Sequence, residues 1–124
     1  MPLLLALIAA IAPGIRTPGG NISCFVGAGK TLHCDIVRAA YRPTLQQLCT
    51  SRASLDWHGF DLAPGNRGVP ACSGGTLGSP RYRTLAFGAT WHSPPFTCVS
   101  RDAGLTCTTG SHGLFISRRS WRGW

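Results

Sequence analysis

The chain has 124 residues, sixteen of them Gly and nine Pro, and a net charge of +8 from eleven Arg and one Lys (Lys30) against four Asp and no Glu. That length holds one domain with a modest core, burying about two-thirds of the surface of its unfolded chain. Glycine and proline at this density exclude a helical bundle, and the charge favours polyanionic partners without bearing on the fold.

The chain opens on an apolar run, Leu3 to Ala12, within "MPLLLALIAAIAPG". The run is too short to cross a bilayer and suits the apolar region of a secretory signal. No Lys or Arg precedes it, which points to a true start upstream of Met1. Pro13 follows the Ala10-Ile11-Ala12 cleavage pattern, so cleavage after Gly14 is the better expectation, with Ala12 and Gly14 as the small residues. The organisation expected is a signal peptide over 1–14, an exposed linker over 15–21 and one disulfide-rich domain over 22–124, with no transmembrane helix in the mature chain. A buried N-terminal helix or strand is the competing reading.

"NISCFV" and "TLHCDI" both alternate and flank "GAGK", the pattern of a β-hairpin. Pairing Val26 with Leu32 sets Cys24 opposite Cys34 and Ile22 opposite Ile36, and puts all six on one, core-facing side. "GAGKT" lacks the spacing of a phosphate-binding loop and is read as the hairpin turn. From Arg38 to Gly78 the chain reads as irregular. A helical turn is expected after Pro43 and one strand around Gly59–Leu62, with "APGNRGVPACSGG" a loop.

From Arg81 onward β signals dominate. "YRTLAFG" and "ATW" read as strands, "HSPP" as a turn and "HGLFISR" as a last strand. Between them, "FTCVSRDAGLTC" reads as a second hairpin whose loop ends in a Gly of positive φ. With Ser100 facing Leu105, Cys98 lies opposite Cys107. The fold class expected is all-β, a small antiparallel sandwich or partly open barrel.

Six cysteines allow fifteen connectivities. Hairpin register selects Cys24–Cys34 and Cys98–Cys107, which leaves Cys49 with Cys72. Each bridge is expected to contribute roughly 2.5–3.5 kcal/mol. A zinc site from His33, Cys34, Cys72 or His112 lacks ligand spacing, so no metal and no cofactor is expected.

"PRYRT" and "SRRSWRGW" set Arg81, Arg83, Arg118, Arg119 and Arg122 beside Trp121 and Trp124. Guanidinium with aromatic rings suits anionic glycans, lipid headgroups or single-stranded nucleic acid, through charge and stacking. The bland reading is a solvated face with aromatics over the barrel end. Trp57 and Trp91 are assigned to the core. His112 is the one candidate site histidine. A hydrolase would use it as base for Ser111 or Ser117, oriented by Asp102, but no nucleophile elbow is present and a loop-bonding role is the simpler reading. Four Asp, with Asp35 in a strand and Asp102 in a turn, argue against paired-carboxylate glycoside hydrolysis. No catalytic residue is assigned.

"TPGGNISCFVGAGKTLHCDI", "LAFGATW", "FTCVSRDAGLTC" and "SHGLFISRRSW" together resemble the bacterial secreted domain-of-unknown-function family 6636, in order and spacing, from about Thr17 to the end. The departures are Ser111 for a usual Gly, Leu114 for Phe, and His58 inserted between Trp57 and Gly59. The resemblance implies a secreted or periplasmic bacterial domain and transfers no activity, substrate or catalytic residue. The expectation is a secreted, non-enzymatic binding or envelope-associated module whose partner is an anionic glycan, a lipid surface or another protein. Secretion argues against nucleic acid as a natural partner. A secreted inhibitor or effector docking on another protein is the second reading and a small hydrolase the third.

Overall fold

In this computed structural model, residues 14–49, 56–73 and 81–124 are described. The expected signal peptide, apart from Gly14, lies outside them. The first hairpin forms in the register its alternation dictates. β2 (Ile22–Val26) and β3 (Leu32–Ile36) pair with Val26 opposite Leu32, Cys24 opposite Cys34 and Ile22 opposite Ile36. The second hairpin does the same. β8 (Phe96–Arg101) and β9 (Gly104–Thr109) set Ser100 against Leu105 and Cys98 against Cys107, with Asp102 and Ala103 alone in the turn and Gly104 at φ 152°.

Around these ribbons two sheets are built. The first has the order β5-β4-β3-β2-β1-β6, adding β1 (Gly14–Arg16), β4 (Asp56–Leu62), β5 (Val69–Ser73) and β6 (Arg83–Thr84). Only the β1–β6 pairing is parallel. The second is an antiparallel meander, β11-β10-β9-β8-β7, with β7 (Thr90–Ser93), β10 (His112–Ile116) and β11 (Trp121–Gly123). The result is an all-β sandwich with, among the described residues, one short α-helix, α1 (Arg42–Gln46). Along one side the sheets meet through glycines. Gly68 donates to the Gly113 carbonyl at 3.3 Å, and a Cβ on Gly123 would overlap the Gly68 carbonyl oxygen.

Three disulfides staple this frame: Cys24–Cys34, Cys49–Cys72 and Cys98–Cys107. The two hairpin bridges have Cα–Cα separations of 4.1 and 4.0 Å, short like the non-hydrogen-bonded pairs of an antiparallel ladder. They face each other across the sandwich, and the sulfurs of Cys24, Cys34 and Cys107 lie within 4.8 Å of one another. All four cysteines are fully buried, so sulfur forms the centre of the core. Trp57, Phe60, Phe96, Leu105, Leu114 and Ile116 fill the space around it. Trp91 is buried as well.

The structure corrects four expectations. The stretch 15–21 is not an exposed linker: β1 pairs with β2, Ile15 is fully buried and Thr17 donates its N–H to the Ile22 carbonyl at 2.9 Å. "VPACS" is not loop but β5, an edge strand, and an edge is where a sheet tolerates the missing N–H of Pro70. The strand expected around Gly59–Leu62 begins earlier, at Asp56, so the described residues between Arg38 and Gly78 carry a helix and two strands. "YRTLAFG" holds only the two-residue β6, after which Leu85 still donates its N–H to the Arg16 carbonyl at 2.8 Å while its side chain enters the core.

One arginine holds the middle of the chain together. Arg42 donates to the carbonyls of Ile36, Val37 and Trp57 at 3.0, 2.9 and 3.0 Å, and its guanidinium lies 5.0 Å from the Trp57 ring centroid. The three carbonyls come from the end of β3, the residue after it and the start of β4, so one planar fork ties these segments together, which a Lys ammonium could not do with the same geometry.

Candidate functional site

At one end of the sandwich the β8–β9 turn, the segment between β10 and β11, and the turn between β1 and β2 surround a concavity of about 630 Å³. Its charged lining is Arg101, Asp102, Arg118 and Arg119. Phe87 and Phe115 supply aromatic surface to the same groove, and Phe87 is 56 % exposed. Among the described residues no hydrogen bond or ion pair engages the guanidiniums of Arg101, Arg118 or Arg119.

The arginine-bearing segment is braced before any ligand arrives. The Ser117 hydroxyl accepts from the N–H groups of Arg119 and Ser120 at 3.2 and 3.1 Å, the local turn that Ser forms readily. Ala40 donates its N–H to the Arg118 carbonyl at 2.8 Å, and the Tyr41 hydroxyl donates to the Ser117 carbonyl at 2.8 Å. Burial lifts the Tyr41 hydroxyl well above the ordinary tyrosine range, against a smaller opposing effect of Arg42, so it remains a donor. A braced loop loses little entropy when it binds.

The candidate residues of the sequence divide between this groove and other places. Arg118 and Arg119 line it. Arg81 and Arg83 do not; Arg83 lies in β6 on the edge of the first sheet, and Arg81 precedes the strand. Trp121 is taken by the core, its ring 5.1 Å from that of Phe60. Arg122 stacks over Trp124 at 4.8 Å.

His112 donates from Nδ1 to the Trp124 carbonyl at 3.1 Å, beside the paired backbones of Gly113 and Trp124. It sits where β10 begins, opposite Thr109, whereas Asp102 and Ser117 lie at the Gly104 end. The strand between them spans roughly 15 Å, so the Asp102–His112–Ser117 grouping is not assembled. Arg101 and Phe87 escaped sequence reasoning because neither adjoins the arginine run, and Phe87, inside the apolar stretch "LAFGA", reads as a strand residue.

A second cluster lies on the outer face of the first sheet. His33 and Asp35 alternate with Cys34 on β3, and His33 stands directly opposite Asp61 on β4. The ring donates from Nδ1 to Asp61 at 2.6 Å and from Nε2 to Asp35 at 2.7 Å. A neutral imidazole has one N–H, so both bonds require the cation. Burial favours the neutral ring, but the two carboxylates outweigh it and raise its pKa from 6.5 to about 9. The Phe25 ring packs at 5.7 Å. The Tyr82 hydroxyl is pushed upward by burial and by the nearby Asp35.

A histidine whose pKa rises on folding stabilises fully below its unfolded value and loses that contribution as pH climbs through the folded one. Stability should therefore fall by on the order of 2–3 kcal/mol as pH rises through the interval bounded by 6.5 and about 9. Urea unfolding at the two ends of that interval measures it. His33→Gln should be less stable at the lower pH and lack this part of the slope, and equal slopes for the two proteins would contradict the assignment.

Among the described residues no helix is long and apolar enough to cross a membrane. No known protein family, no characterised protein and no solved structure matches the chain.

Proposed function

We propose that this is an exported binding module, related to the bacterial secreted domains its motifs resemble, that takes an anionic polymer into the groove at the end of its sandwich. The reading rests on one observation: three arginines, Arg101, Arg118 and Arg119, line a single concavity, none with an ion pair to another described residue. Like charges gathered this way repel one another, and an anion entering between them relieves that repulsion. The braced turn carrying Arg118 and Arg119 supports a preformed site. Export is supported by three disulfides, which persist in oxidising compartments. The net charge of +8 speeds encounter with any polyanion and does not select among them.

The test is retention on an immobilised sulfated polysaccharide as a function of salt. The double variant Arg118→Ala, Arg119→Ala should bind about tenfold more weakly at low salt, and the slope of log affinity against log salt should become shallower by about 2. The control pair Arg81→Ala, Arg83→Ala, outside the groove, should change affinity less. Equal losses in the two pairs would mean that charge acts diffusely and the groove is not the site.

A further inference from the structure

We infer that the natural occupant of this groove is an acidic saccharide chain, one whose sugar rings carry carboxylate or sulfate groups. The inference rests on the anion-binding reading above and adds the identity of the polymer. Three features of the lining favour it. The first is Asp102, which stands beside Arg101 in the β8–β9 turn and shares the concavity with three arginines. A carboxylate repels phosphate, so a surface devoted to polyphosphate, anionic lipid or nucleic acid loses by having it. Sugar rings bring hydroxyl donors, and an ionised carboxylate is a strong acceptor for them. Only a ligand that mixes anions with hydroxyl groups uses both kinds of wall.

The second feature is aromatic. Phe87 lines the groove with more than half its surface open to solvent, and Phe115 is half-buried in the same wall. The face of an aromatic ring is electron-rich, and the C–H-bearing face of a pyranose meets it with both apolar area and complementary polarity. A bare polyphosphate makes no such contact. The third feature is shape. A concavity of about 630 Å³ has the size of a site for a small ligand or a few units of a chain, whereas a bilayer surface is flat and leaves a recess between two sheets unfilled.

The experiment titrates the purified protein with four probes: a short oligomer of uronic acid, linear polyphosphate, a single-stranded oligonucleotide and phosphatidylglycerol vesicles. Asp102 and Phe87 are exposed, so their variants test the site without disturbing the core. Asp102→Asn should weaken the uronate oligomer about tenfold and tighten polyphosphate two- to fivefold, roughly the effect of removing one exposed like charge. Phe87→Ala should weaken the uronate oligomer about tenfold and leave polyphosphate unchanged.

The saccharide assignment is overturned if Asp102→Asn tightens both probes, if Phe87→Ala leaves the oligomer unaffected, or if vesicles or the oligonucleotide bind more tightly than the oligomer. In each of those cases the anion-binding reading survives as long as the Arg118→Ala, Arg119→Ala variant still loses affinity for the charged probes. If that variant binds every probe as the wild type does, both readings fail together.

Discussion

Replacing Cys24 and Cys34 together by alanine is expected to lower the unfolding free energy by about 4 kcal/mol. Two effects add. The bridge closes a loop with a sequence separation of 10, and releasing it returns roughly 2.7 kcal/mol of chain entropy to the unfolded state. Both sulfurs are also fully buried and lie against Cys107 of the facing hairpin. Deleting them leaves a void between the sheets worth about 1–2 kcal/mol. A domain of this size has about 5–15 kcal/mol of stability in total, so the variant stands at the edge of folding. Denaturant unfolding of the oxidised proteins measures the difference. A loss of about 2.7 kcal/mol or less, the chain-entropy part alone, would mean that the two bridges are not stacked at the centre of the core.

The parts of this fold that could be read from sequence are those whose information is local. Each cysteine hairpin states its register twice, through the alternation of apolar residues and through the need for its two cysteines to meet. The alternation of Ile22, Cys24, Val26, Leu32, Cys34 and Ile36 therefore specifies the pairing they adopt in space. β1 carries almost no such signal. Ile15 is its one apolar residue that enters the core, and Gly14 and the following "RTPGGN" resemble a linker because the strand is supported entirely by neighbours on both sides. β5 was hidden by Pro70, a strand breaker everywhere except at an edge.

The site was legible in the same proportion. Arg118 and Arg119 stand out as a run, but the groove is assembled from segments that are distant in sequence, and only the sandwich brings Arg101 and Phe87 to them. The ion triad on the outer face depends on a β3–β4 register that spans 28 residues from His33 to Asp61. A usable signal existed. His33 and Asp35 flank Cys34 at positions that cannot share the cysteine face.

Gly59→Ala is expected to cost more than about 4 kcal/mol and to abolish folding in the oxidised protein under ordinary conditions. Gly59 lies opposite Asp35 on β3. A methyl group there would overlap the Cys34 carbonyl oxygen and approach the Cys34 carbonyl carbon and the Asp35 Cα to 2.8 and 2.9 Å. These are backbone atoms of a strand tied down by a disulfide, so no side chain can swing aside. Either β4 separates from β3, breaking the ladder and the His33–Asp61 bond with it, or the bridge region distorts. Gly65→Ala is the control: its φ of 79° makes the change strained, yet nothing lies within 4 Å, and the cost should be about 1 kcal/mol. Thermal unfolding of the two variants separates them, and a melting temperature for Gly59→Ala within a few degrees of wild type would refute the β3–β4 pairing. The glycine also explains the residue that precedes it. Trp57 pairs with Cys72 and Gly59 with Ala71, which leaves His58 as an extra residue in a β-bulge. In a regular strand Trp57 and Phe60, three positions apart, would point to opposite faces. The extra residue turns both rings into the core, where they meet edge to face at 5.5 Å, both fully buried. The bulge brings the chain so close to β3 that only a residue without a side chain fits at its exit, which is why the inserted His58 and the glycine after it belong to one structural device.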